Sequence, residues 1–250
     1  MKIRSLGKTD TGRKRKHNED AFLCDDDLQL YAVADGVGGH AKGEVASAEA
    51  VEQLQIWVLR HRDMIKNYKD DPHPEKIPSL RRMMESAIQS ACYMVHSMAE
   101  FEPDQKGMST TMSALLVVGE LAIIGQVGDS RVYIHRQETA VQVTEDHTLI
   151  NYKLKHGLIT PQQAMRARGK NVITRAVGHL DYVQVDVFDM DLMSGDSFML
   201  CSDGLHGYLK PGEVAKVMAQ PFETAASKFI DLANERGGKD NITVVLFRVD

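Results

Sequence analysis

Cysteine, tryptophan and proline are scarce in this 250-residue chain, with 3, 1 and 7 copies. Cys24, Cys92 and Cys201 are odd in number and far apart, which suits reduced thiols in a cytosol better than a disulfide framework. No apolar run is long enough to span a bilayer. Met1-Lys2-Ile3-Arg4 leads into Ser5, Gly7 and Thr9 rather than an apolar segment, so no signal peptide is expected and a cytoplasmic location follows. Positive charge is not in excess either. With 30 Lys and Arg against 35 Asp and Glu the net charge is −5, so no general affinity for nucleic acid or for anionic membrane is expected. No repeat, low-complexity tract or linker divides the chain, so residues 1–250 are expected to form one domain.

What is present is a mixture of helical and strand patterns in separate blocks. After Gly43, Val45, Ala48, Val51, Leu54 and Val58 recur at helical spacing. A loop marked by Asp71-Pro72-His73-Pro74 and Pro78 precedes a second helix, predicted to start near Ser79 as N-cap. Its stripe, Met84, Ala87, Ile88, Ala91, Met94, Val95 and Met98, reads as core packing rather than a partner groove. From Thr111 the pattern changes to short strands: 111–118, 121–127, 131–136 and 140–143, separated by turn residues. Thr160-Pro161-Gln162-Gln163 predicts the start of a short helix. Val183, Val185 and Val187 alternate as a strand, and 198–201 and 242–249 are two more, separated by a helix that includes Phe229, Ile230, Leu232 and Ala233. Antiparallel strands with helices in separate blocks predict an α+β layered fold.

Acidic motifs fall where these strands begin or end: Asn18-Glu19-Asp20, Asp35-Gly36 after the apolar strand 30–34, Gly128-Asp129-Ser130-Arg131, Ser202-Asp203-Gly204 and Lys239-Asp240-Asn241. Singly, each is an ordinary turn or cap. Together they suggest carboxylates converging at strand ends, where burial is prohibitive unless cations neutralise them. Oxygen ligands of this kind suit Mg²⁺ or Mn²⁺. The basic run Arg13-Lys14-Arg15-Lys16-His17, just before the first acidic triplet, adds a cation source suited to a phosphate.

The ordered set resembles the PPM, or type 2C, metal-dependent protein serine/threonine phosphatases, in their stand-alone bacterial form. The residues that carry the resemblance are 15–20 (Arg-Lys-His-Asn-Glu-Asp), 35–40 (Asp-Gly-Val-Gly-Gly-His), 107–111 (Gly-Met-Ser-Thr-Thr), 127–131 (Val-Gly-Asp-Ser-Arg), 144–147 (Thr-Glu-Asp-His), 201–205 (Cys-Ser-Asp-Gly-Leu) and 239–243 (Lys-Asp-Asn-Ile-Thr). They stand in the family's order across nearly the whole chain. The resemblance implies a four-layer αββα sandwich, two antiparallel sheets flanked by helix pairs. It implies that Asp35 bridges two Mn²⁺ or Mg²⁺ ions, with the Gly36 carbonyl and Glu19 completing one site and Asp203 and Asp240 the other. Asp129 would help Asp203 hold a third, weaker ion. Asp20 would orient the water, and Arg15 would hold the substrate phosphate. The implied chemistry is hydrolysis of phosphoserine and phosphothreonine by a hydroxide bridging the ions, ~3.5–4 Å apart. Phosphorylated proteins are the implied substrates, a serine/threonine kinase the functional opposite, and a monomer the expected state. Residues 146–175 fall where the family carries a flap. One departure is Val37, which stands where eukaryotic members place a histidine; His40 is offset by three residues, and neither is assigned as the acid for the leaving group.

Two rivals come from other chemistries. Gly36-Val37-Gly38-Gly39-His40-Ala41 fits a dinucleotide-binding loop, but Asp35 would face the pyrophosphate and no second parallel strand follows. A cysteine-dependent phosphatase built on Cys201 would need arginine at position 207, which is glycine. A third reading is a phosphoprotein-binding relative without catalysis.

Overall fold

The nearly all-apolar runs Met112–Val118 and Leu121–Val127 are strands buried on both faces, where their polar members Ser113 and Gln126 bond to each other at 2.6 Å. The structure is a computed structural model and describes residues 2–37, 42–167, 169 and 172–250. The chain begins with β1 (Ile3–Asp10), β2 (Asp20–Asp25) and β3 (Leu30–Val37). Three helices follow, α1 (Gly43–Arg60), α2 (Arg62–Asp70) and α3 (Ile77–Phe101). Next come β4 (Ser109–Thr110), β5 (Met112–Val118), β6 (Leu121–Val127), β7 (Arg131–Arg136) and β8 (Thr139–Gln142). Two short helices, α4 (Leu149–Lys155) and α5 (Pro161–Arg166), precede β9 (Asp186–Asp191) and β10 (Ser197–Cys201). The chain closes with α6 (Asp203–His206), α7 (Glu213–Met218), α8 (Phe222–Glu235) and β11 (Ile242–Val249).

All strand pairings among the described residues are antiparallel, in two sheets ordered β1-β11-β10-β7-β8 and β2-β3-β5-β6-β9, with β4 added on β3. Alternation along β3 shows how the layers are made. Leu30, Ala32 and Ala34 face α1 and α3, packing with Leu54, Met84 and Ile88. Tyr31 and Val33 point the other way, into the space between the sheets with Leu115, Phe198 and Phe247. On the far side Met199, Val244 and Leu246 pack under Val217 and Phe229 of α7 and α8. The order is therefore helices, sheet, sheet, helices. At the centre Phe247 stacks between Tyr31, at 4.5 Å, and Phe198, at 4.7 Å.

The helical stripes are mostly placed as expected, with corrections. In α1 it is Ala46 and Ala50 that are buried, while Ala48 is exposed. Helix α3 starts at Ile77, and Ser79 caps nothing; its hydroxyl accepts from Arg82 Nη2 at 3.1 Å. Met94 lies half-exposed at the edge of the stripe, whose other members pack into the core. The strand expected at 183–187 instead begins at Asp186. Strands β1, β2 and β4 and helices α2, α4, α6 and α7 are additional elements. Helix α5 carries the predicted capping box at Thr160 and Gln163.

Because Phe247 is fully buried between two aromatic rings, Phe247→Ala should cost about 3–5 kcal/mol in urea unfolding. Tyr93→Ala, at a side chain 63% exposed, should change stability by less than about 0.5 kcal/mol. Comparable losses at both positions would contradict this layering.

Candidate metal and phosphate site

Strand register delivers the first two carboxylates. Asp20 opens β2 directly opposite Asp35 on β3, so both side chains project from the same face at one end of the sheet. Glu19 is drawn in beside them. Its carbonyl accepts from Gly36 N at 3.1 Å, and its own N–H donates to Asn241 Oδ1 at 2.9 Å. Gly36 must be glycine for this approach, since a Cβ there would lie 2.4 Å from Gly43 O and 2.5 Å from Glu19 O. Asp35 is fixed from behind: Thr111 Oγ1 accepts from its N–H at 2.9 Å, and its carbonyl accepts from Thr110 Oγ1 and Thr111 N, both at 2.9 Å.

The other sheet contributes from its facing end. Asp203 starts α6 just after β10, Asp240 lies in the turn before β11, and Asp129 lies in the turn between β6 and β7. The two turns of the first pair are in tight contact, because a Cβ on Gly204 would meet Asn241 O at 1.9 Å. Asp20 ties the sheets together. Its Oδ2 accepts from Ser202 Oγ at 2.8 Å and from Thr243 Oγ1 at 2.6 Å, and Thr243 N donates to Ser202 Oγ at 3.0 Å. Its Oδ1 is buried and has no hydrogen-bond partner among the described residues. Asn241 anchors the approaching loop by donating to Thr11 O at 3.0 Å and His17 O at 2.9 Å.

These groups share one electrostatic neighbourhood. Burial first, and then the charges of Asp20, Asp203, Asp129 and Asp240, hold the Asp35 carboxyl well above the usual carboxylate range. Burial likewise pushes Asp20 and Asp129 up to about 7, with Asp203 adding to both. Asp203 and Glu19 are raised as well, chiefly by burial. Arg15 stands at the mouth and forks onto Asp240, Nε to Oδ1 and Nη2 to Oδ2, each at 2.8 Å. That bond, reinforced by Glu19 and Asp35, raises the guanidinium further. Arg15, Glu19, Asp20, Asp35, Gly36, Asp129, Asp203 and Asp240 are thus brought to one place. Among the described residues, no three acidic, histidine or cysteine side chains are drawn to the spacing of a finished coordination shell. The donor set still fits hard divalent cations: it is all oxygen, it is anionic, and it is buried beyond what one arginine neutralises.

Ser202, Thr243, Asn241 and Thr111 lie within the quoted motifs but carry no role in the sequence reading. His206 lies just beyond one; its Nε2 donates to Asp129 O at 2.9 Å, and burial lowers the ring to about 4, so it acts as a neutral donor. A cavity of about 480 Å³, lined by Asp129, Asp203, Arg131, Asp146 and His206, runs from this end of the site toward α4. The segment 146–175 leaves and returns at one point. His147 N donates to Gly128 O at 2.8 Å, Thr174 N to His147 O at 2.8 Å, and Arg175 Nη1 to Asp186 Oδ1 at 2.6 Å. His147 accepts from Gly128 N at Nδ1 (3.1 Å), so its Nε2 donates to Asp186 Oδ2 at 3.0 Å.

Both rival chemistries fail on geometry. Among the described residues the sheets hold no parallel pair of the kind a dinucleotide fold needs. Cys201 is fully buried, with its thiol pushed up to about 12 by that burial, so it packs rather than reacts. Gly38, Gly39 and His40 lie outside the described residues.

Carboxylates from two facing antiparallel sheets, with an arginine at the mouth, make a donor set of the class that suits divalent cations and an anionic group. Residues 9–246 match the sequence model of protein phosphatase 2C, and the chain belongs to that family. It is 35% identical over 244 residues to the serine/threonine phosphatase stp of Listeria innocua, covering 96% of this chain and 93% of that one. It is 32% identical over 244 residues to the protein phosphatase PhpP of Streptococcus pneumoniae, covering 95% and 94%. Among solved structures, the Mycobacterium tuberculosis serine/threonine phosphatase PstP superposes with a TM-score of 0.85 at 31% identity, over 99% of both chains. The PstP catalytic domain in complex with two manganese ions superposes with a TM-score of 0.83 at 31% identity, again over 99% of both.

Asp129 has a pH signature. An acid whose pKa is raised on folding, here from 3.8 to about 7, binds more protons folded than unfolded, so without metal it lowers stability as pH rises through that window. In EDTA, Asp129→Asn should melt close to wild type near pH 4 and on the order of 5–10 °C above it at pH 7.5. A difference that does not change with pH would contradict the burial of this charge.

Proposed function

We propose that this chain is a metal-dependent protein serine/threonine phosphatase, and that residues 1–250 form one catalytic domain with a flap at about 146–175. The observation that carries this reading is the convergence of Asp35, Asp203, Asp240 and Asp129 from both sheets beside Arg15. Glu19, Asp35 and Gly36 would hold one Mn²⁺ or Mg²⁺ ion, with Asp35 shared toward a second held by Asp203 and Asp240. Asp129 and Asp203 would hold a third. When bound, such ions supply positive charge to the phosphoryl oxygens and acidify water for attack on phosphorus.

The chain's own residues do the remainder. Arg15 presents two parallel N–H groups, now on Asp240, in the geometry that phosphoryl oxygens accept. Asp20 is held through Oδ2 by Ser202 and Thr243, which leaves Oδ1 to accept from the attacking water and orient it. The flap, stapled at His147, Asp186 and Arg175, would contact the phosphorylated protein, a reading supported by Thr148, Ile150, Asn151 and Leu154, which line the cavity beside Asp129. By the same reading the substrate is a phosphorylated protein made by a serine/threonine kinase, and the enzyme works as a cytoplasmic monomer.

Phosphate release from a phosphothreonine peptide tests this. Release should need Mn²⁺, stop in EDTA, and fall by on the order of 10²–10³ in Asp203→Asn. Arg15→Lys should lower kcat/KM by about 10- to 100-fold with Mn²⁺ binding retained, because lysine cannot supply the fork. Unchanged kcat/KM in Arg15→Lys would remove its role. Metal binding without hydrolysis of any phosphopeptide would favour a phosphoprotein-binding module.

A further inference from the structure

Four of the five residues 13–17 are Lys or Arg, and only Arg15 of the run is ion-paired among the described residues. The loop is not a loose tail. Gly12 N donates to Asp10 Oδ1 at 2.8 Å, Arg13 N donates to Gly238 O at 2.7 Å, and Asn241 holds Thr11 and His17 by their carbonyls. All five side chains are exposed, but Arg15 reaches back to Asp240, while Arg13, Lys14, Lys16 and His17 of the same loop stay beside it without an ion pair among the described residues. A fixed cationic rim at the mouth of a site already crowded with carboxylates, on a chain of net charge −5, is a local reversal of sign. Such a reversal attracts anionic groups to that mouth.

We propose that this rim selects phosphorylated protein segments carrying Asp or Glu within about three residues of the phosphorylated side chain. This rests on the phosphatase reading and names its substrate class. An extended segment places a residue two or three positions away at roughly 7–10 Å. That is the distance over which Lys14 and Lys16, neighbours of the phosphate-holding Arg15, act before salt screens them at about 8 Å. The run is too short, and the chain too acidic, to favour a nucleic acid or a membrane surface as its occupant.

The test compares two phosphothreonine peptides, one with Glu at the two flanking positions on each side and one with Gln there. They are assayed with wild type and with Lys14→Gln/Lys16→Gln, with p-nitrophenyl phosphate as a substrate that has no flanks. Wild type should prefer the acidic peptide by about tenfold in kcat/KM at low salt. The preference should shrink to under about twofold in the double variant and in 0.4 M salt, while aryl phosphate turnover stays unchanged. Lys14→Glu/Lys16→Glu should reverse the preference. Equal kcat/KM for the two peptides in wild type, or a preference that survives in the double variant, overturns the proposal. Rim-dependent binding to phosphatidylserine vesicles without a peptide preference also overturns it, in favour of a membrane role. If wild type hydrolyses neither peptide nor aryl phosphate, the phosphatase reading fails. The rim is then decided by fluorescence anisotropy of the same two peptides, where equal affinities reject it.

Discussion

Mutual repulsion among buried carboxylates is the constraint on which the rest of this molecule depends. Asp20, Asp35, Asp129 and Asp203 all have their carboxyl groups raised, first by burial and then by neighbouring carboxylates of the same cluster, Asp240 in the case of Asp203. No fold gathers such groups without support from outside the cluster. The support here is covalent order turned into packing: three apolar layers, helices on sheet, sheet on sheet and sheet on helices, fix the strand ends that carry the acids. The stacked Tyr31, Phe247 and Phe198 hold the two sheets at the separation from which Asp20 can accept from Ser202 and Thr243.

Backbone proximity is the second support. Gly36 lets Glu19 and Gly43 approach the end of β3, and Gly204 lets the Asp203 turn rest on Asn241. These glycines serve close approach rather than flexibility, and a methyl at either would push a carboxylate-bearing turn out of place. Asn241 then joins the Asp240 turn to the loop that carries Arg15, so hydrogen bonds tie the anionic centre to its cation.

Much of this was legible in the sequence because its signals are local. Strand runs such as 121–127 and 242–249, the capping box at Thr160 and the acidic motifs at strand ends depend on neighbours in the chain, and the structure places them within a residue or so. Less legible were elements whose stability is tertiary. Helix α2 is only nine residues long and mostly polar, so its short apolar face is easy to pass over, yet it buries Ile65 and Tyr68 against the core. Strand β1 shows weak alternation but pairs along its full length with β11. The Asp20 network was hidden for a similar reason. Ser202 and Thr243 stand in the quoted motifs, but only the facing of two sheets turns their hydroxyls onto a residue 182 and 223 positions away. His206 gave no signal at all, since a neutral imidazole on the Asp129 carbonyl looks like any helix-end histidine.

Titration of the metal-stripped protein with Mn²⁺, read both by calorimetry and by melting temperature, tests the central claim most directly. The account predicts at least two ions bound per chain and a melting temperature that rises with Mn²⁺ concentration, both greatly weakened in Asp35→Asn. Saturating Mn²⁺ that neither binds nor stabilises the wild-type chain, or that does both equally well in Asp35→Asn, would contradict it.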